Sequence, residues 1–234
     1  MLLPPFDPEA IPVRSRDAAL PAVDPARLRA DWLRARFARP PQWSPEVFRD
    51  TAGAPAGTPR AASVLVGLVE RRHGLHLLLT RRNAHLQVHA GQISFPGGSR
   101  DAGDLDAVHT ALREAHEEIG LEPARVEPLG AMPVYTTITG FAITPVVAVV
   151  DQSALMRAEP NEVAELFEVP LNFLMDPSNH EHRSWNPLDG TAAGPETPRR
   201  SFYAMPWTSP QGQRYFIWGA TAAMIRNLYR LLIA

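Results

Sequence analysis

Residues 97–121, GGSRDAGDLDAVHTALREAHEEIGL, restrict what this chain can fold into more than any other stretch. Val108, Ala111, Leu112, Ala115 and Ile119 recur at helical spacing, which predicts a helix over about residues 105–119 with one apolar stripe to bury. Asp104 or Asp106 is placed to cap its start, and Gly120 to end it in a left-handed residue. Glu114, Glu117 and Glu118 fall at i, i+3 and i+4, so they share one side of the helix. Glu114 and Glu118 stand about a quarter to a third of a turn from the apolar stripe, and Glu117 opposite it. The helix can therefore lie on a sheet while showing its acids to a cleft. Like charges at this spacing destabilise a helix by a few tenths of a kcal/mol per pair. Hard cations such as Mg²⁺ take carboxylate oxygens together with substrate phosphates, and one bound here would relieve that repulsion. Arg113, four residues before Glu117, is spaced to hold that carboxylate.

An isolated E-x-x-E-E is more simply a solvated acidic face, and the segment upstream decides against that. Phe95-Pro96-Gly97-Gly98 follows the strand-like Gln92-Ile93-Ser94. Paired glycines let the backbone take up positive φ and approach another group closely. Strand, Gly-Gly turn and acid-bearing helix together resemble the Nudix box of the Nudix hydrolases. That box runs Gly, five residues, Glu, seven residues, then R-E-U-x-E-E-x-G-U, with U apolar. Gly98, Arg113, Glu114, Glu117, Glu118, Gly120 and Leu121 match it, with Ala115 as a small apolar residue. Asp104 stands in place of the Glu, and eight residues rather than seven separate it from Arg113.

A narrower likeness precedes the box. Leu78-Leu79-Thr80-Arg81-Arg82, followed through to Gly91 and Phe95-Pro96-Gly97-Gly98, resembles the coenzyme A pyrophosphatase branch, whose signature is L-L-T-x-R-[S/A]-x-x-x-R-x-x-x-G-x-x-x-F-P-G-G. The extra box residue is also similar to that branch. Asn83 replaces the Ser or Ala of the signature and Gln87 the second Arg. Gln lacks the charged fork that Arg offers a phosphate. Arg81, Arg82, His85 and His89 cluster ahead of the loop, with Arg82 on a signature position. The two histidines read equally as anion contacts or as solvated side chains.

The family resemblance implies an α/β Nudix fold, a mixed β-sheet sandwiched between helices. It also implies a phosphoanhydride hydrolase. Glu114, Glu117 and Glu118, with the Gly97 carbonyl, would hold Mg²⁺ or Mn²⁺; such ions neutralise pyrophosphate oxygens, orient a water and lower its pKa. Arg113 would position a glutamate, and Arg82, Gln87 and Gly98 would meet substrate. A further acid from downstream would serve as ligand or base. Glu162 is the first candidate and Glu165 the second, against the simpler reading that both complement a helix N-terminus. The implied substrate is coenzyme A or an acyl derivative, cleaved to 3′,5′-ADP and 4′-phosphopantetheine or its acyl form. ADP-ribose, NADH or another nucleoside diphosphate derivative is the alternative within enzymes. A catalytically silent nucleotide-binding Nudix fold is the alternative outside them, and the retained acids argue against it.

Composition sets limits. The chain of 234 residues is long enough for a sizeable core. Its net charge of −2 draws it to neither nucleic acid nor anionic membrane. The absence of cysteine excludes disulfide scaffolding and thiolate metal sites. With no apolar leader and no long uncharged apolar stretch, the expectation is a soluble, cytoplasmic protein whose partner is a small molecule. Nothing in the sequence sets an oligomeric state.

The 24 prolines divide the chain into short elements. Residues 1 to about 24 read as irregular, and Asp24-Pro25 opens a helix through Ala38 that Pro40-Pro41 stops. Residues 1–58 are thus expected as an extension with one helix, and 59–234 as the Nudix domain. After a loop at 51–58, strands are expected at Ala62–Val69 and Leu75–Arg82, joined by a hairpin. Further strands follow at Leu129–Thr137 and Phe141–Val150, with Pro145 marking a sheet edge or a bulge. Glu159–Leu171 reads as a short helix. Residues 176–200 read as a long surface loop with His180 and His182 solvated. Strands at Phe202–Trp207 and Arg214–Trp218 then lead into a C-terminal helix.

Overall fold

The computed structural model describes residues 7–46, 57–85, 91–137, 139–185 and 200–234. Its elements are β1 (Val13–Arg16), α1 (Ala30–Ala38), β2 (Arg60–Arg71), β3 (Gly74–Arg82), β4 (Ile93–Ser94), β5 (Gly97–Ser99), α2 (Ala107–Ile119), β6 (Val126–Ala131), β7 (Tyr135–Thr136), β8 (Phe141–Val150), β9 (Val163–Pro170), α3 (Leu171–Leu174), β10 (Glu181–Trp185), β11 (Arg200–Thr208), β12 (Arg214–Trp218) and α4 (Gly219–Ile233).

The larger sheet is mixed. Its spine runs β4-β3-β2-β8-β6, with β5 also on β2, β7 on β8 and β9 on β3. β2 and β8 are parallel in register from Arg60↔Phe141 to Val69↔Val150, and the remaining pairs are antiparallel. Alternation along the central strands divides the core. Leu65, Val69, Leu78, Val146, Ala148 and Val150 meet Ala111, Ala115 and Ile119 of α2. Val66, Leu68, Leu77, Leu79, Val147 and Val149 face the opposite way, toward Leu33 of α1 and Ile225, Leu228 and Leu232 of α4. The sheet therefore lies between helices, as expected. A second, antiparallel sheet in the order β1-β10-β11-β12 packs with α4. No helix among the described residues is long and apolar enough to cross a membrane.

The box helix, the β2–β3 hairpin, β8 and the C-terminal hairpin and helix fall where the sequence predicts them. Five expectations change. Glu159–Leu171 is not a helix: Phe167 and Val169 alternate into the core on a strand, and pairing with β3 from His76 to Arg82 outweighs the helix-start pattern of its acids. The N-terminal segment is not wholly irregular, because Val13–Arg16 pairs with β10. The loop after residue 176 contains β10, and His180 within it is fully buried rather than solvated. Residues 129–137 form two strands, β6 and β7, instead of one. Pro145, opposite the break between them, lies inside the sheet and not at its edge; its carbonyl accepts from the Met132 N–H while its missing N–H falls where the partner strand is interrupted.

Candidate active site

Two glycines lay a short strand against β2 and leave room for acids above it. Gly97 has φ +154°, and a Cβ there would stand 2.4 Å from the Ser63 carbonyl oxygen. A Cβ on Gly98 would stand 2.6 Å from the Glu114 carboxyl carbon. One glycine thus permits the strand approach and the other seats a glutamate. α2 begins at Asp106, whose carboxylate accepts the His109 N–H at 2.8 Å, and ends at Gly120 with φ +63°.

Arg113 organises the polar side of this helix. Its Nε and Nη2 both reach Asp104 at 3.0 Å, Nη2 also donates to the Ser99 carbonyl at 3.0 Å, and Nη1 reaches Glu117 at 2.9 Å. Nη2 lies 3.1 Å from Glu114 as well. Asp104, with a side chain 1 % exposed, further accepts the Asp101 N–H and the His109 ring. These donors, the Arg113 guanidinium first, hold its carboxyl far below the usual carboxylate range. Sequence reading took Asp104 as a spacing variant or helix cap; the structure makes it the anchor of Arg113. Its place in the box was the available signal.

Glu118 is the most buried acid of the helix, and its Oε2 accepts the Gly97 N–H at 3.1 Å. Burial pushes its pKa up to about 7, with Glu114 and Glu162 adding repulsion, while the Gly97 N–H and Arg82 oppose. Burial raises Glu114 too, with Glu117 and Glu162 contributing and Arg113 opposing. Glu162, from the turn before β9, is thus one of the charges that raise both box glutamates. Glu165 is not: it is bonded to Arg81 at 3.1 Å and to the Tyr215 hydroxyl, on the face of the sheet away from α2. Arg82 Nη1 stands 3.8 Å from Glu118, and its Nε is buried with no acceptor among the described residues. His85 is exposed, and Gln87 and His89 lie outside the described residues.

These are hard oxygen donors, buried and mutually repelling, which suits a divalent cation. Among the described residues no three acids or imidazoles converge closely enough to hold one as they stand. Glu117 is paired with Arg113 and its side chain is 56 % exposed, while Glu114 and Glu118 are the more enclosed carboxylates.

Enclosed carboxylates on a loop–helix unit docked on a mixed sheet fit the chemistry of a phosphoanhydride hydrolase. The NUDIX domain profile matches residues 58–189, and the chain belongs to the Nudix hydrolase family. Over 184 residues it is 41 % identical to the uncharacterized Nudix hydrolase NudL of Enterobacter sp. (strain 638), covering 79 % of this chain and 86 % of that one. The NudL of Escherichia coli (strain K12 / DH10B) is 40 % identical over the same length and the same shares. Among solved structures it is similar to RenU, a Nudix hydrolase from M. smegmatis, at 24 % identity and a TM-score of 0.45, covering 58 % of this chain and 84 % of that one. Divalent ions such as Mg²⁺ or Mn²⁺ generally serve hydrolases of this family.

Proposed function

We propose that this Nudix hydrolase cleaves the pyrophosphate bond of coenzyme A or acyl-coenzyme A, releasing 3′,5′-ADP and 4′-phosphopantetheine or its acyl form. The observation that carries the reading is Arg82. It sits on the signature segment Leu78–Gly98 that resembles the coenzyme A branch, beside Glu118, with a buried Nε–H that meets no acceptor among the described residues. A buried guanidinium donor without a partner is rare, and a substrate phosphate oxygen would supply the acceptor.

Glu114, Glu117 and Glu118, with the Gly97 carbonyl, would hold Mg²⁺ or Mn²⁺. Bound there, the ion supplies neutralisation of the phosphate oxygens and a more acidic water. Gly98 lets Glu114 stand against the loop. Arg113, fixed by Asp104, positions Glu117 and sets how far it turns. Glu162 takes the proton of the attacking water, whose oxygen bonds to one phosphorus as the bridging P–O bond breaks. Gln87 gives the substrate a neutral contact where Arg would give a charged one. Residues 59–234 form the catalytic domain on this reading. Within the 1–58 extension, Arg27 and Arg36 donate to the carbonyls of Leu231, Leu232 and Ile233. A cytoplasmic location belongs to the same proposal, because a cysteine-free chain of net charge −2 requires no oxidising compartment.

Hydrolysis of coenzyme A, acetyl-coenzyme A, ADP-ribose and NADH with Mg²⁺ or Mn²⁺, resolved by chromatography, tests it. Release of 3′,5′-ADP from coenzyme A, with kcat/KM well above the other substrates, is the expected result. Preference for ADP-ribose or NADH would overturn the substrate, and metal binding without turnover would overturn the catalysis.

A further inference from the structure

The turn carrying Glu162 is held at both ends. At its start, the Glu159 N–H donates to the Glu118 carbonyl and the Arg157 N–H to the Ile119 carbonyl, each at 2.8 Å, which ties the approach to the end of α2. Within it, the Glu162 and Val163 N–H groups both donate to the Glu159 carbonyl, at 3.0 and 2.9 Å. At its far end stands Asn83, the first residue beyond β3. The Asn83 N–H donates to the Glu162 carbonyl at 2.9 Å, and Asn83 Nδ2 donates to the Pro160 carbonyl at 2.7 Å.

The second of these bonds belongs to this chain's own side chain. Ala at position 83 offers no donor, and a Ser hydroxyl stops one bond short of the Asn amide nitrogen. Those are the two residues of the signature that this segment otherwise resembles. Arg82, next in the chain, faces Glu118, so consecutive residues at the end of β3 address the two sides of one site.

We propose that Asn83 is a positioning residue, whose amide bond to the Pro160 carbonyl holds the turn that carries Glu162 and so sets where the Glu162 carboxylate stands. The inference rests on the reading of Glu162 as the proton acceptor. It also gives a reason for the departure from Ser or Ala at this place.

The test is a double-mutant cycle of Asn83→Ala and Glu162→Gln, read by steady-state kinetics on coenzyme A and by single turnover with excess enzyme for slow variants. Hydrogen exchange at the Glu162 and Val163 amides is followed in parallel on metal-free protein. Asn83→Ala is expected to lower kcat roughly three- to ten-fold, the worth of one hydrogen bond, and to leave KM within about two-fold. In the Glu162→Gln background it should lower kcat no further, because the carboxylate it positions is gone. Both amides should exchange faster. Equal losses in both backgrounds, or no loss with unchanged exchange, would overturn the role of Asn83. Near-normal turnover of Glu162→Gln alone would instead overturn Glu162 as proton acceptor, and the exchange data would still decide whether Asn83 holds the turn. Asn83→Ser, which keeps a polar side chain, is expected to behave as Asn83→Ala.

Discussion

Arg113 grips Asp104 with both Nε and Nη2 at 3.0 Å while its Nη1 holds Glu117 at 2.9 Å. The buried aspartate fixes the guanidinium, and the guanidinium fixes the glutamate. Asp104→Asn keeps the shape and removes the charge that holds this fork. Its kcat should fall about ten- to a hundred-fold, since small misplacements of a positioning group cost that much. Asp104→Glu, which places the residue type of the usual box there, should recover part of the loss only if the inserted residue leaves room for the longer chain. Wild-type kcat in Asp104→Asn would separate the fork from the chemistry.

The two loop glycines should fail differently. A methyl on Gly98 meets the Glu114 carboxyl group, which can swing aside, so Gly98→Ala should fold and lose about a hundred-fold in kcat. A methyl on Gly97 meets the Ser63 carbonyl and Val64 Cα, which are backbone and cannot yield, at a φ that side chains avoid. Gly97→Ala should therefore lose melting temperature before it loses anything else. Thermal unfolding beside activity distinguishes the two. Equal Tm losses for both would contradict this division.

How far this was legible in the sequence follows from the range of each contact. α2, its left-handed Gly120 end and the Arg113–Glu117 pair depend on residues a turn apart, and periodicity finds those. The Arg113–Asp104 fork spans the loop ahead of the helix and was visible only as a variant of a motif. Glu162 was singled out as an acid, but Asn83 and the Pro160 carbonyl meet through strand pairing that no local pattern encodes. β9 was misread because Glu159, Glu162 and Glu165 imitate the acidic first turn of a helix. β10, Glu-His-Arg-Ser-Trp, was missed because charge pairs hold it: Arg183 and Arg16 both bind Glu181, and no apolar alternation marks it.

Glu117 separates metal binding from stability. Its side chain is 56 % exposed and it pairs with Arg113, an interaction worth only about 0.3–0.5 kcal/mol at this spacing. Glu117→Gln should thus leave Tm within a few degrees of wild type and still lower kcat by orders of magnitude. Addition of Mn²⁺ should raise the Tm of the wild type, and less so that of Glu117→Gln. Near-normal turnover would sink the ligand assignment.

His180 predicts how stability responds to acid. Its ring is fully buried, with Nε2 2.7 Å from the Leu174 carbonyl and Nδ1 3.0 Å from Arg226 Nη1. Burial lowers its pKa to about 4; Arg226 pushes the same way, while the Leu174 carbonyl, Asp17 and Asp176 oppose. Arg226 is in turn bound to Asp17 and Glu46, so the histidine sits in the joint between the N-terminal segment and α4. The unfolded chain takes up the proton near pH 6.5 and the folded one only near 4, so the unfolded state binds more protons between those values. The contribution of the neutral ring is therefore complete above pH 6.5 and lost as pH falls toward 4, by about 3 kcal/mol in all. Urea unfolding at a series of pH values should show that slope, and His180→Gln, with no proton to gain, should flatten it. An unchanged slope in the variant would assign the acid sensitivity to other groups.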